Sequence, residues 1–494
     1  MPRDATPLVP FETNYGSLPT NFWAPARPTP VQKAEWLHLN TELACQLGLS
    51  PDDLASDDGL AILAGNRVLE GTHPLSMAYS GHQFGGFSPL LGDGRAILLG
   101  EVRDGNGRLW DIQLKGAGLT PFSRPGSDGR AWLGPILREY VLSEAMHALG
   151  IPTTRALAAV STGQPIRRER LYPGAILTRV SQSHVRVGTF EYLVSRRDHE
   201  GLNILTQFVL ERHYPHRLGA ENAAFALLEE VMQRQAELVA SWLSVGFIHG
   251  VMNTDNTSVI GTTIDYGPCA FLDAYDPRKV FSSIDHHGRY AYANQPRAAH
   301  WNVAVLANAL LPLLGPDGRT SAQEVISRFP DTFAEAHLTH MRAKLGLTSP
   351  EPADGALAAD LLTTMASGHA DFTRSFRGLG GLGQTASSAD ETWMSEFQNP
   401  ADARTWLKRW RARLDRDATS EETRQGLMQQ TNPAYIPRNH RIEEMIQAAV
   451  DGNLNPLHAL LDVLSAPFDA RDAMADYALA PQPNQEVCQT FCGT

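Results

Sequence analysis

The sequence feature that most restricts the fold is the octet HGVMNTDN at residues 249–256. It directly follows a stretch, 221–245, in which Ala, Leu and Val recur at helical spacing, which predicts one long helix. Nine residues after Asn256 comes Asp265, the first residue of an Asp-Tyr-Gly triplet. Mg²⁺ prefers hard oxygen ligands and usually takes one or two protein groups together with phosphate oxygens. We therefore expect Asn256 and Asp265 to bind a divalent cation, although both residue types also favour turns.

Protein kinases carry the same residue types at this spacing, with a base Asp two residues after the His. In this chain Val251 holds that position, and valine cannot accept a proton from a substrate hydroxyl. Asp255 is the remaining carboxylate of the octet. It could act as a displaced base, as a third metal ligand or as a turn former, and the sequence alone does not separate these roles. The pattern predicts a nucleotide and metal site whose base has been lost or moved.

The N-terminal half predicts a β-rich unit. Two strand-like runs, 96–102 and 109–114, flank Gly105-Asn106-Gly107, which is a strong hairpin signal. Lys115 ends the second run, where a kinase-like lobe holds its phosphate-binding Lys. An amphipathic helix is expected at about 134–149, with Pro152 stopping it. That helix offers Glu139 and Glu144 as partners for Lys115, and we favour Glu139 because it lies in the first half of the helix.

A turn, Gly92-Asp93-Gly94-Arg95, precedes the hairpin and is a candidate phosphate site. Glycines let backbone N–H groups approach phosphates, and Arg95 adds a bidentate donor. The acidic Asp93 is unlike a standard phosphate loop. Arginines in or near loops of this half are further candidates for phosphate contacts, although a single Arg is more often in a surface ion pair; these are Arg124, Arg130, Arg179 and Arg186.

The order of elements predicts an α+β, protein-kinase-like fold with two lobes. Residues 1–186 would form an N-terminal extension and a β-rich nucleotide-binding lobe, and residues 187–494 a helical lobe with the catalytic loop and a Cys-containing tail. Short strands are expected at 156–161, 166–170, 175–180 and 257–264. Helices are expected near 31–47 and at 299–314, 321–346, 356–377, 400–414 and 441–451, with an irregular tail beyond 480.

Composition restricts partners and location. The net charge of −12 argues against non-specific binding to nucleic acid or to anionic membranes, which needs basic surface. The N-terminus has no apolar core of signal-peptide length. The most apolar stretch, 303–314, is shorter than the ~20 residues that span a bilayer. We expect a cytoplasmic protein, and four cysteines in 494 residues make no disulfide framework.

Five motifs in order, GHQFGG, LGDGRA, HGVMNTDN, IDYGP and NPxxIPRNH, resemble those of the SelO/YdiU family of pseudokinase-like protein adenylyltransferases. The resemblance covers nearly the whole chain. It implies a kinase-like fold that binds ATP in a flipped orientation and transfers AMP to Ser, Thr or Tyr hydroxyls of proteins. On matching positions it implies Asp255 as the base, Asn256 and Asp265 as ligands of Mg²⁺ or Mn²⁺, and Glu139 as the partner of Lys115. It further implies that the nucleotide is held by Gly92, Gly94, Arg95, Lys115, Asp128, Gly129, Arg179, Arg186 and Asp265.

Family members also carry a Cys or selenocysteine near the C-terminus, which suggests redox control. Cys488 or Cys492 could form a disulfide with Cys269 beside the metal site, or all three could remain thiols in a reducing cytosol. The segment 432–440, NPAYIPRNH, is held by two prolines, and the sequence assigns it no role.

Two other functions remain compatible with the residues. One is a kinase acting on a protein or small molecule, against which Val251 argues. The other is a non-catalytic nucleotide-binding scaffold, against which the retention of Lys115, Asn256 and Asp265 argues.

Overall fold

The computed structural model describes residues 7–491, and its N-terminal half is built on an antiparallel sheet. The strands between residues 7 and 491 are β1 (Trp23–Pro25), β2 (Glu35–Leu39), β3 (Leu75–Met77), β4 (Gly81–Gln83), β5 (Gly86–Ser88), β6 (Ala96–Arg103), β7 (Leu109–Lys115), β8 (Ala131–Trp132), β9 (Arg155–Arg167), β10 (Leu171–Ser181), β11 (Phe247–Ile248) and β12 (Ala270–Phe271). The large sheet has the order β1-β3-β6-β7-β10-β9-β2, with β8 pairing to β10. β4 pairs with β5, and β11 with β12, in two separate ribbons.

Helices dominate the rest of the chain. They are α1 (Thr41–Gln46), α2 (Pro51–Ala55), α3 (Asp57–Leu63), α4 (Leu133–Ala148), α5 (Val187–Ser195), α6 (His199–His213), α7 (Ala223–Ser244), α8 (Gln295–Leu310), α9 (Gly318–Lys344), α10 (Asp354–Ser367), α11 (Phe372–Leu379), α12 (Ser388–Met394), α13 (Pro400–Leu414), α14 (Glu421–Thr431), α15 (Asn439–Val450) and α16 (Asn455–Ser465). In residues 7–491 no helix is both long and apolar enough to cross a membrane.

The β6–β7 hairpin and helix α4 form where the sequence predicts them. The Asp104 carboxylate accepts the backbone N–H groups of Asn106 and Arg108 at 2.8 and 2.9 Å, which closes the turn. Gly107 in that turn has φ +80°, a conformation that favours glycine. Hydrophobic residues of α4 face the sheet and are fully buried; they include Ile136, Leu137 and Val141. The hairpin and α4 together place Lys115 and Glu139 on facing elements.

Two predictions of local structure in the first 200 residues are wrong. Residues 35–39 form β2 rather than part of a helix at 31–47, because they pair with β9 at the sheet edge. Only Thr41–Gln46 of that segment is helical. The predicted separate strand at 166–170 does not form, since β9 continues to Arg167 and the chain then turns into β10. In both cases pairing across the sheet decides the outcome and local periodicity does not.

Two further predictions fail in the helical half. The segment 257–264 is not a strand; it makes isolated bridges to Arg186 and Thr153, and Gly261 interrupts it with φ +69°. The helix expected at 356–377 is divided into α10 and α11. His369 lies between them with φ +47°, so the helical hydrogen bonding cannot continue. The remaining expected helices form with small changes of bounds, and residues 480–491 are irregular as expected.

In residues 7–491 the core comprises three clusters of buried side chains. One lies between the sheet and α1–α3, and the largest runs through the helical half. The third lies on the other face of the sheet, where α4 is covered by α15 and α16 from the end of the chain. Buried Leu137 of α4 and Leu460 of α16 belong to this third cluster. The C-terminal helices therefore hold α4, and with it Glu139, against the sheet.

Candidate active site

The octet at 249–256 forms a loop whose shape is fixed by its own side chains. His249 is buried, and its Nε2 lies 2.9 Å from the carbonyl oxygen of Ile264, the residue before Asp265. Burial lowers the pKa of His249, which favours a neutral imidazole donating to that carbonyl. The Asn256 amide nitrogen donates to the Val251 carbonyl at 3.0 Å, which leaves the side-chain oxygen of Asn256 for a cation. These contacts join the two motifs of the sequence into one site.

Asp255 is a buried carboxylate with one unused oxygen. Its Oδ2 accepts a hydrogen bond from the Gln83 side chain at 3.1 Å, whereas its Oδ1 is buried without a hydrogen-bond partner. Burial raises the pKa of Asp255 to about 6, although the Gln83 hydrogen bond opposes the shift. A carboxylate with this pKa and a free oxygen can accept a proton near neutral pH.

Asp265 lies at the centre of a cluster of cations. Its Oδ1 accepts from Arg179 at 2.6 Å, and its Oδ2 accepts from Arg186 at 2.9 Å. Lys115 Nζ is 3.5 Å from Oδ1. Burial raises the pKa of Asp265, but Arg179, Arg186 and Lys115 outweigh it and hold the pKa well below its usual range. The residue has φ +65°, a strained conformation of the kind that clusters at functional sites.

Glu139, and not Glu144, lies against Lys115. Lys115 Nζ is 2.5 Å from Glu139 Oε2, and Arg179 Nε donates to Glu139 Oε1 at 2.8 Å. Burial by itself raises the pKa of Glu139, but the charges of Arg179 and Lys115 outweigh burial and lower the pKa below its ordinary value. Glu144 instead accepts two hydrogen bonds from Arg155, at 3.0 and 2.8 Å. One buried carboxylate thus orients two of the three cations.

The cluster brings three cations together beside three carboxylates. Lys115, Arg179 and Arg186 face the carboxylates of Glu139, Asp265 and Asp93, with Asp93 Oδ1 3.6 Å from Arg186. The nearby Asp93 is buried, and burial raises its pKa although Arg186 and His184 oppose the shift. Asp265 has 21% of its side chain exposed, whereas Arg179 has only 2%. Three clustered cations, with access from solvent beside Asp265, suit an anion such as a polyphosphate.

The turn 92–95 is tightly packed, and its acidic residue points inward. Asp93 Oδ2 accepts from the Gln113 side chain at 3.0 Å and from the Met77 backbone at 3.2 Å. Gly92 has φ +67°, and a Cβ there would be 2.4 Å from Phe122. Asp93 is thus used inside the protein, where its Oδ1 also lies 3.6 Å from Arg186, while Gly94 and Arg95 are half-buried. The Arg95 carbonyl accepts from Gly116 N at 2.7 Å, which places the turn beside Lys115.

The remaining candidates of the sheet half lie on the adjoining loop. Asp128 is exposed and accepts from Arg168 at 2.8 Å. Gly129, with φ +66°, packs on Gly118, where a Cβ would be 2.2 Å from backbone. Arg130 donates to the carbonyls of Thr29 and Pro30 rather than to the cluster, and Arg124 is exposed. The structure therefore gathers Lys115, Arg179 and Arg186 into the site and leaves Arg124 and Arg130 outside the ion-pair cluster.

The fit of a divalent cation rests on Asn256 and Asp265. In residues 7–491 no group of three or more His, Cys, Asp or Glu side chains could hold a metal by itself. Two oxygen ligands match the way Mg²⁺ is held when phosphate oxygens complete its shell. Asp255, one residue before Asn256, carries a further oxygen, Oδ1, without a hydrogen-bond partner. The donor set therefore fits a metal that arrives with a nucleotide.

Comparison with known proteins identifies the family. The model of the family described as protein adenylyltransferase SelO matches residues 7–465. This chain belongs to the SelO family. It is 54% identical to the protein nucleotidyltransferase YdiU of Methylorubrum populi, over 99% of this chain and 100% of that protein. It is 54% identical to YdiU of Bradyrhizobium diazoefficiens, over 98% and 99%, and 53% identical to YdiU of Rhodopseudomonas palustris strain BisB18, also over 98% and 99%.

In this SelO family member the β4–β5 hairpin completes the site, and reasoning from the sequence assigned it no role. The backbone N–H of His82 donates to Thr254 Oγ1 at 2.7 Å, and that of Phe84 donates to Asn253 Oδ1 at 3.0 Å. Gly81 lies against Asp255. Upstream, Tyr79 lies under the Arg186 guanidinium, 4.5 Å from ring centre to Cζ. The GHQFGG motif of the family resemblance falls on this hairpin, at residues 81–86.

The NPAYIPRNH segment, residues 432–440, binds the chain that follows the Asp-Tyr-Gly triplet. Arg438 is buried and donates to Asp371 at 2.7 Å and to Asp273 at 2.8 Å. The Asn439 side chain bonds both the N–H and the carbonyl of Phe271, at 3.3 and 2.8 Å. Phe271 belongs to β12, six residues after Asp265. The segment thus holds the chain that follows the Asp-Tyr-Gly triplet.

The two described cysteines of the proposed redox pair, Cys269 and Cys488, differ in their exposure to solvent. Cys269 is buried just after the Asp-Tyr-Gly triplet, and its carbonyl accepts from Arg138 at 3.2 Å. Cys488 is exposed, and Cys492 lies outside the described residues. Two residues after Cys488, Thr490 donates its hydroxyl to the Pro268 carbonyl and its N–H to the Phe281 carbonyl, the latter at 2.8 Å. The tail is therefore anchored next to Cys269.

Proposed function

We propose that this chain is a protein adenylyltransferase that moves AMP from ATP to Ser, Thr or Tyr hydroxyls of proteins. The single observation that carries the proposal is Asp255, a buried carboxylate with an unused oxygen, beside the Lys115, Arg179 and Arg186 cluster. Asp255 supplies a base in a loop where Val251 holds the position of the usual base. Membership of the SelO family supports the same chemistry.

The architecture we propose is that of a two-lobed, protein-kinase-like fold with its cleft at the cation cluster. Three features support it. The sheet half supplies Lys115 and Glu139, the helical half supplies Asn256 and Asp265, and Gln182, between β10 and α5, lies in the segment that joins the two. A nucleotide bound between them would contact groups from both halves.

In the proposed reaction the substrate oxygen attacks the α-phosphorus. The new O–P bond forms as the bond to the β-phosphate oxygen breaks, and pyrophosphate leaves. Asp255 takes the hydroxyl proton, since its pKa of about 6 leaves it ionised at neutral pH. Lys115, Arg179 and Arg186 bind the phosphates and stabilise the leaving charge. A Mg²⁺ or Mn²⁺ ion, held by Asn256 and Asp265, would supply further neutralisation of that charge. Positioning and electrostatic stabilisation carry most of the rate in such phosphoryl transfers.

We also propose that oxidation of the tail acts on this site. A disulfide between Cys269 and Cys488 or Cys492 would join the tail to the residue four positions after Asp265. The anchoring of Thr490 at Pro268 supports this, because it already holds the tail there.

The test uses ATP labelled on either the α- or the γ-phosphate, with the wild-type chain and the variants Asp265→Ala and Asp255→Asn. We expect the wild-type chain to transfer the α-label to protein, and both variants to transfer none. Label from the γ-phosphate alone would mean a kinase with a relocated base. ATP binding without either label would mean a nucleotide-binding scaffold. Circular dichroism of the variants separates lost chemistry from lost folding.

A further inference from the structure

The β4–β5 hairpin, the loop before α8 and the first two turns of α8 form a surface beside Asp255 that carries an exposed phenylalanine. We define this acceptor surface by His82, Phe87, Arg289 and Trp301. The His82 ring lies 5.0 Å from the Phe87 ring and 5.3 Å from the Trp301 ring, between centroids. Phe87 is 45% exposed, which is unusual for a phenylalanine held in such a cluster. An exposed aromatic next to a catalytic carboxylate indicates a contact made by a partner.

Arg289 on this surface is a half-buried cation that no carboxylate of residues 7–491 pairs with by a salt bridge. Its guanidinium lies over the Trp301 ring at 4.8 Å and near the Tyr290 ring at 5.7 Å. Its Nε is buried without an acceptor. Cation–π contact offsets only part of the lost hydration of such a group. The guanidinium therefore retains capacity for a planar anion.

Short contacts connect Arg289 to the base. A Cβ on Gly85, at the hairpin tip, would be 3.6 Å from Arg289 Nη1. The same hairpin carries Gln83, which donates to Asp255. On the other side, the Tyr290 hydroxyl donates to Asn253 at 2.9 Å, two residues before Asp255. A ligand on Arg289 would thus be a few residues of extended peptide from the proton acceptor.

The carboxylates near the acceptor surface are buried and hold groups of the protein itself. Glu191 is buried and bonded to His82. Asp285 accepts the backbone N–H groups of Arg289 and Tyr290, at 2.9 and 2.8 Å. His286 and His287 next to it are exposed. Since Glu191 and Asp285 are buried, the charged group that the surface presents is the half-buried Arg289 guanidinium, beside the exposed Phe87 ring.

We propose that the acceptor surface binds the hydroxyl-bearing segment of the protein substrate, and that an Asp or Glu within a few residues of the hydroxyl pairs with Arg289. An apolar side chain of the same segment packs on Phe87. The inference rests on the proposed function, since it names the class of protein segment that this site takes.

The test compares two fluorescent peptides of equal length, each with one serine and one leucine, flanked either by glutamates or by glutamines. Binding is measured by fluorescence anisotropy with a non-hydrolysable ATP analogue present, so it needs no transfer. We expect the glutamate peptide to bind the wild-type chain about tenfold more tightly, as one partly desolvated ion pair gives. Arg289→Gln should remove this preference while leaving the glutamine peptide within about twofold.

Arg278→Gln is the matched control, because Arg278 precedes the same segment with its side chain 93% exposed. It should keep the full preference. Equal binding of both peptides to the wild-type chain would overturn the inference, as would an Arg289→Gln variant that weakens the ATP analogue instead of the glutamate peptide. Absence of α-label on any protein would instead overturn the proposed function, and the binding comparison would still decide the peptide question.

Discussion

Gly81 lies against Asp255 so closely that no side chain fits between them. A Cβ at position 81 would be 2.7 Å from Asp255 Oδ1 and 3.0 Å from its Cβ. The unpartnered oxygen of the proposed base thus faces a residue with no side chain. The glycine preserves the space in which Asp255 keeps its orientation, and it does so from a strand 174 positions earlier in the chain.

The first prediction follows from this contact. Gly81→Ala should lower AMP transfer by at least about tenfold, because a misplaced catalytic group loses orientation, while ATP binding changes little. The measurement is α-label transfer together with nucleotide affinity. Gly86→Ala in the same hairpin is the control, since a Cβ there meets only a carbonyl at 3.5 Å, and it should retain most of the activity. Equal rates for the two variants would contradict the role given to Gly81.

The second prediction concerns the ionisation of Asp255. Burial raises its pKa to about 6, so the deprotonated base accumulates as pH rises through 6. The transfer rate should therefore rise roughly tenfold per pH unit below 6 and level off above it. A rate profile from pH 5 to pH 8 measures this. A flat profile across pH 6, with the protein folded throughout, would argue against Asp255 as the base.

The raised pKa of Asp255 also affects stability: as pH rises, the transfer rate should increase while the free energy of unfolding decreases. The folded pKa of about 6 lies above the ordinary 3.8, so the folded state binds the proton more tightly, and ionising Asp255 at neutral pH costs about 3 kcal/mol. This cost appears as pH rises through the interval between the two values. Asp255→Asn should therefore be inactive yet unfold at a higher temperature than the wild-type chain at pH 7.5. At pH 4 the difference should be much smaller.

How far the sequence predicts this site depends on the range of the contacts involved. Asn256 and Asp265 belong to short local motifs, so their spacing in the sequence alone identifies them as candidate metal ligands. The β6–β7 hairpin and α4 follow from turn chemistry and periodicity, and they carry Lys115 and Glu139. These predictions need no knowledge of distant pairing.

The contacts that the sequence could not reveal join remote segments. Gln83 reaches Asp255, and Asn439 pairs with the backbone of Phe271 across 168 residues. No periodicity or spacing encodes such a contact, since it depends on how whole elements pack. For the same reason the segment 257–264 looks like a strand in sequence, whereas the structure uses it to make isolated bridges to Arg186 and Thr153.

The third prediction concerns Glu139, which is shared by Lys115 and Arg179. Glu139→Gln removes the charge that both cations face, and breaking a buried pair this way costs about 3–5 kcal/mol. Thermal unfolding should report this loss. The pKa of Glu139 is lowered, so its contribution is present at neutral pH and fades as pH falls below 4.5, which makes the variant and wild type converge in acid. The KM for ATP should also rise, because Lys115 loses its orientation.

Glu144→Gln is the control for that experiment. Glu144 lies on the same helix and pairs with Arg155 rather than with Lys115, so the variant should lose stability but keep the KM for ATP. A similar rise in KM for both variants would mean that α4 as a whole, and not the Glu139 contact, sets nucleotide binding.

The last prediction concerns the tail. Since Thr490 is anchored at the Pro268 carbonyl, a thiol near it can reach Cys269 with little loss of chain entropy. Hydrogen peroxide would accept the two electrons that disulfide formation releases from two thiols, and transfer should then change and recover with dithiothreitol. Cys269→Ser should make the rate insensitive to peroxide. Comparing Cys488→Ser with Cys492→Ser identifies the partner, because only one of the two variants should share that insensitivity. Free thiols at all three positions after peroxide, by mass spectrometry, would contradict the disulfide and leave the anchored tail a packing feature beside the site.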